Sequence, residues 1–189
     1  MQMIYLSKGI LPWKSNMAEL SVSHCGKLHK LTGTQAELWL AGQHKPEYTV
    51  NTEQEDALKV LINLGIAENG DSSDETAVFR LLTNCAICPV RVKKPIVMLN
   101  RLERRIWRWI TQAGLHLTMA ELTRLSERGT KPIRTLVGEA NRQVLTEEIY
   151  NSETIFDGIL ETLMEKSPAR DETVRAVLGL LRKKQIYLV

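Results

Sequence analysis

The sequence predicts a mainly α fold with small antiparallel β elements, an α+β architecture in two helix-rich domains. Three observations predict it. Thr34-Gln35-Ala36-Glu37, Thr52-Glu53-Gln54-Glu55 and Thr118-Met119-Ala120-Glu121 have the spacing in which a hydroxyl and a carboxylate satisfy the free amides of a helix start. Short apolar runs beside Gly or Asn-Gly read as strands. Pro89 and Pro95 bracket a basic stretch, Val90–Lys94, that reads as a linker. The expected division is therefore 1–90, a basic linker at 91–95, and 96–189.

In the first half, residues 18–31 read as a hairpin. Leu20 and Val22 alternate with polar residues, Cys25-Gly26 turns, and Leu28 to Leu31 returns. A helix follows from Thr34, with Ala36, Leu38, Trp39 and Leu40, and stops at Gly42. The second helix, from Thr52, sets Ala57, Leu58, Leu61 and Leu64 on one face and ends at Gly65. Ile66-Ala67-Glu68 reads as a strand, Asn69-Gly70 with the acidic stretch Asp71–Glu75 as a loop, and Ala77 to Leu82 as the returning strand. Helix, strand, turn and strand is the order of a helix followed by a wing.

In the second half, a helix over about 99–113 puts Leu102, Ile106, Trp109, Ile110 and Ala113 on one face. A capped helix runs from Thr118 to about Glu127, and Arg128-Gly129-Thr130-Lys131 turns. Pro132 suits a first helical position, and its helix extends to about Leu145 with Ile133, Leu136, Val137, Ala140 and Val144 inward. Two more helices, about 153–166 and 171–184, flank Ser167-Pro168-Ala169, and Ile186–Val189 reads as a strand. Leu61-x-x-x-Gly65-Ile66 and Leu181-x-x-x-x-Ile186 each lead from a helix into a strand.

Composition narrows the function classes. The apolar share of 43% and charged share of 25% are ordinary for a globular chain. No apolar run reaches the roughly 18 residues of a membrane span, and the N-terminus has no basic region leading into an apolar core. Three cysteines do not make a disulfide framework, so a cytoplasmic setting is expected. Net charge is +3. Residues 1–95 are neutral, with 10 Lys/Arg and 10 Asp/Glu, whereas 91–108 holds seven basic residues against Glu103 alone.

Helix, short connection, helix, strand and wing, clearest at 52–82 and 99–145 with a weaker copy at 153–189, resembles the winged-helix family. The resemblance implies tandem winged-helix-like domains, DNA as partner, transcription regulation, and a homodimer reading two half-sites. Trp107 and Ile186–Val189 are candidate dimer contacts. The first half also resembles PqqD-like modules in Leu31-Thr32-Gly33, in Trp39-Leu40 with Gly42, and in Leu61 through Ile66. Gln43–Asn51 stands where those modules have a middle helix. That resemblance implies capture of a peptide as an added strand, the alternative to DNA binding.

For DNA, the helix from Pro132 is the expected recognition helix. Its outward arc holds Lys131, Arg134, Thr135, Gly138, Asn141 and Arg142. Arg grips guanine and Asn grips adenine through paired hydrogen bonds, so Arg134, Thr135, Asn141 and Arg142 are the candidate base contacts. Arg101, Arg104, Arg105 and Arg108 recur at i, i+3, i+4 and i+7, opposite the apolar stripe. With Lys131 they are the candidate phosphate contacts. The helix at 171–184 opens on Asp171-Glu172, which phosphates would repel.

Cys85-Ala86-Ile87-Cys88 admits a metal, a redox or a buried-thiol reading. The remaining soft ligands, His24, Cys25 and His29, surround one turn without the pair spacing of a zinc site, which favours buried thiols. His44 and His116 stand alone beside turns. No Ser/His/Asp set or phosphate loop is present. A binding protein is expected, with no catalytic residue, metal or cofactor.

Overall fold

The computed structural model describes residues 2–12, 20–90, 98–113, 116–131, 139–150 and 159–189. It is an α+β fold whose strands lie in small antiparallel sheets. The chain divides into two compact units, Met1–Cys85 with Tyr187–Val189, and Ala86–Ile186. The basic residues Arg91, Lys93 and Lys94, with Pro95, lie outside the described residues.

The first unit is built on β1 (Met3–Ser7). Ile4, Tyr5 and Leu6 are all buried, so β1 lacks the alternation that marks a half-exposed strand. The reading of the sequence contained no such strand. It pairs antiparallel with β4 (Glu47–Tyr48) and β5 (Ala67–Asp71). Asn69 and Gly70 stand in the β5 ladder opposite Tyr5 and Ile4, not in a turn as expected. The turn comes at Asp71, whose Oδ1 accepts from the Ser73 amide at 2.9 Å.

The hairpin is as read: β2 (Leu20–His24) pairs with β3 (Lys27–Leu31). Cys25 and Gly26 both have positive φ, 47° and 76°, as a two-residue turn matched to strand twist requires. Helix α1 (Gly33–Gly42) is capped at Thr32 without a side-chain bond. Thr34 instead donates to Glu53 at 2.7 Å, so the first expected capping box does not form. Helix α2 (Thr52–Asn63) is capped one residue earlier than expected, by Asn51 accepting from the Gln54 amide. Trp39, Leu58 and Leu61 join Tyr5 in the core.

The main correction concerns Ala77–Leu82. This segment is a helix, α3 (Ala77–Thr83), not a strand, so the expected wing of the first half is absent. Six mostly apolar residues fit a buried helix as well as a buried strand. Asp74 settles the choice locally, accepting from the Thr76 amide and from Arg80, each at 2.8 Å.

Among its described residues the second unit contains β6 (Ile87–Pro89) and five helices: α4 (Arg101–Ala113), α5 (Met119–Glu127), α6 (Glu139–Ile149), α7 (Ile159–Glu165) and α8 (Arg170–Arg182). Helix α4 packs on α6 and α8, and α5 on α6, α7 and α8. The start of α4 carries a reciprocal cap not singled out from sequence: the Glu103 amide donates to Asn100 Oδ1 and the Asn100 amide to Glu103 Oε2, both at 2.8 Å. The Thr118–Glu121 capping box forms as read. Strand β7 (Ile186–Leu188) follows α8. No helix among the described residues is long and apolar enough to cross a membrane.

The repeated helix ends share one geometry. Gly65, with φ 74°, donates to Ile62, and Ile66 donates to Leu61; Lys184, with φ 55°, donates to Leu181, and Gln185 to Leu180. Each is the pair of hydrogen bonds that closes a helix through a left-handed residue. The geometric match therefore pairs Leu61 with Leu180, one residue from the alignment read in the sequence.

Candidate nucleic-acid interface

Helix α4 is the first part of the candidate surface. Ile106, Trp109 and Ile110 are buried, while Arg101 and Arg104 are exposed and Arg105 and Arg108 half-buried. Its apolar stripe thus fixes the arginines on the outer side. Arg104 also donates to the Leu99 carbonyl at 3.2 Å. Glu103, the acid of this window, is withdrawn from that face. It is 3% exposed and accepts at 2.6 Å from Lys183, which caps the C-terminal end of α8. Its charge is compensated inside the unit, whereas Glu172, exposed on α8, lines the same space as Arg101 and Arg105.

The second part is the α5–turn–α6 segment. Leu117, between α4 and α5, forms an antiparallel bridge with Ile87, and its carbonyl accepts from the Ile87 amide at 2.9 Å. After α5 the chain turns at Gly129, φ 65°, where the Thr130 amide donates to Leu125. Tyr150 at the end of α6 donates to Glu121 of α5 at 2.6 Å, so one carboxylate both caps α5 and holds α6.

The expected recognition residues do not all share an open face. Arg134 and Thr135, with Pro132, Ile133, Leu136, Val137 and Gly138, lie outside the described residues. Lys131 and Arg142 are exposed, and Arg142 pairs at 3.6 Å with Glu139 one turn before it. Asn141 is a correction: it is 1% exposed and cannot meet a base edge from this position. It shares the inner side of α6 with Leu145 and Ile149, four and eight residues on. Ala140, expected inward, is exposed. The helix also runs past the expected end at Leu145, to Ile149. The inner face is thus rotated by one residue from the sequence reading. Among the described residues Asn141 Oδ1 has no hydrogen-bond partner, and neither does the buried indole nitrogen of Trp109 on α4.

The thiols and imidazoles form no comparable site. Cys85 is buried, donates to the Leu81 carbonyl at 3.1 Å, and has its pKa pushed up to about 12, chiefly by burial. Cys88 is buried and Cys25 exposed. Cys25 Sγ lies 3.6 Å from His24 Nε2. Burial, then Lys8 and His29, holds the His24 pKa below its usual value. His44 is half-buried and His116 exposed. Among the described residues no three His, Cys, Asp or Glu cluster as a metal site.

Sequence reasoning missed Lys183 as the partner of Glu103, because the pair joins residues 80 apart. The Asn100-x-x-Glu103 spacing was the available signal. Compared with family models, with curated proteins and with solved structures, the chain finds no match.

Proposed function

We propose that this is a non-catalytic DNA-binding protein, a regulator of the winged-helix type whose second unit meets the duplex. The observation that carries the reading is the order of elements there: helix α4, the Leu117 bridge, capped α5, the Gly129 turn and α6. That is the order in which a helix-turn-helix presents its last helix to a groove. The arginines of α4 support it. Cations on one helix face contact phosphates without reading sequence. Arg142 and Lys131 stand exposed for the same ligand, Arg134 and Thr135 complete the proposed base-reading set, and two copies would read two half-sites. The test is a titration of duplex DNA with Arg101→Gln plus Arg104→Gln and, separately, Arg134→Ala. The double variant should weaken all duplexes alike and flatten the salt dependence by about two units. Arg134→Ala should lose about 1–3 kcal/mol on a selected sequence only. Unchanged binding in both, with folded protein, would overturn the reading.

A second reading has an observation in its favour. Among the described residues β3 pairs only with β2, and Lys27, Leu28 and Lys30 on it are exposed. An open strand edge is what a peptide uses when it adds as a further strand. Binding by backbone pairing would depend on salt far less than binding to phosphates, and that contrast separates the two readings.

A further inference from the structure

Within the second unit, α4, α5 and α8 border an open trough in two neighbouring parts. One part, about 470 Å³, is lined by Asn100, Arg101, Leu102, Glu172, Arg175 and Ala176. The other, about 280 Å³, is lined by Arg101, Leu102, Arg105, Ser126, Ala169 and Glu172. Arg101, Leu102 and Glu172 line both, so the two parts are neighbours, and the larger is of the size that takes a small ligand.

The charges on its walls are unusual in one respect. Arg101 and Arg105 lie one helical turn apart on the same side of α4, and Glu172 projects from the first turn of α8. Among the described residues neither arginine has an ion pair, and neither does Glu172. Opposite charges thus line one trough without joining. The hydroxyl of Ser126 is buried behind this wall, and among the described residues it has no hydrogen-bond partner. Leu102 is half-buried and Ala176 3% exposed, which adds an apolar patch between the charged groups.

We propose that this trough binds a free α-amino acid. Its carboxylate meets the Arg101 and Arg105 guanidinia, and its ammonium meets Glu172. A zwitterion satisfies both sets of charges at once. An anion would leave Glu172 facing the ligand's own negative end, and a cation would face three arginines, Arg101, Arg105 and Arg175. Hydrogen bonds to charged partners in a partly desolvated trough are the stronger kind.

The test is a titration of the full-length, isotope-labelled chain followed by its amide NMR spectrum. Glycine, L-leucine and L-glutamate are each compared with their amine-less counterparts, acetate, 4-methylpentanoate and glutarate. At least one amino acid should shift the amides around Arg101, Ser126 and Glu172, and its counterpart should bind about tenfold more weakly. Glu172→Gln should erase that preference while leaving the spectrum folded. Arg101→Gln with Arg105→Gln should abolish binding of both members of the pair. No localised shift with any amino acid, or equal binding of the counterpart, overturns the proposal. The readout uses no nucleic acid, so its failure is separate from failure of the DNA-binding reading.

Discussion

Glu103 and Gly179 meet so closely that the carboxylate of one fills the space a side chain on the other would need. Helix α8 therefore carries a glycine in its interior although glycine is a poor helix former. Lys183, one turn on, closes the contact by donating to the same carboxylate at 2.6 Å.

Gly179→Ala should destabilise the second unit by about 1–3 kcal/mol, because overlap with a buried carboxylate outweighs the gain in helix propensity. Thermal or urea unfolding checks the sign. A more stable variant would contradict the close approach.

Glu103→Ala should cost about 2 kcal/mol. It removes the cap of α4 and leaves Lys183 without its partner. Lys183 is 30% exposed, so water recovers part of the loss. Glu103→Gln, which keeps the capping oxygen, should cost less than the alanine. Equal losses would mean that the cap contributes little beyond the charge pair.

Asn141→Leu should leave the fold intact and raise stability by about 1 kcal/mol, since it replaces a buried amide whose oxygen has no partner among the described residues with an apolar group of similar volume. Discrimination among DNA sequences should not change. A selective loss at adenine-containing sites would restore Asn141 as a base contact.

Tyr5 gives the first unit a defined alkaline limit. Burial, then the charge of Glu47, pushes its pKa from 10.0 up to about 12. A raised folded-state value means that the stability it represents is complete below the unfolded value and is lost as the pH climbs through the folded one. Unfolding free energy should decline between about pH 10 and 12. Tyr5→Phe should flatten that decline while losing roughly 1 kcal/mol at neutral pH, because the hydroxyl donates to the Leu38 carbonyl at 3.2 Å. An unchanged alkaline slope would contradict the burial effect.

Thiol reactivity should separate along the chain. Exposed Cys25 should alkylate readily at about pH 8, and buried Cys85, whose thiolate is disfavoured, only on unfolding. Peptide mapping after brief alkylation reads the difference. Rapid labelling of Cys85 in folded protein would contradict it.

Much of the architecture was legible where one local signal dominated. The Cys25-Gly26 turn defined its hairpin, and Thr118 with Glu121 defined the start of α5. The failures share a cause, which is tertiary packing that leaves no periodic trace. Strand β1 is buried on both faces, so Ile4, Tyr5 and Leu6 read as an unpatterned apolar run. Ala77–Thr83 is too short for its period to be told, and Asp74 decides its start through side-chain bonds. Along α6 the inner face is turned by one residue because Asn141 is accepted into the interior, against the usual preference for apolar groups. Polarity alone therefore placed it outside. In the candidate interface, the α4 arginines were read from spacing. The removal of Glu103 from their face depends on a lysine 80 residues away, which spacing cannot show.

The most direct measurement of the DNA-binding proposal is the affinity of the full chain for a random-sequence duplex across a series of salt concentrations. Four α4 arginines contacting phosphates should make log K fall against log salt with a slope of about −3 or steeper. Absence of binding at low salt, or a slope near zero, would contradict it and favour strand-paired peptide capture at β3.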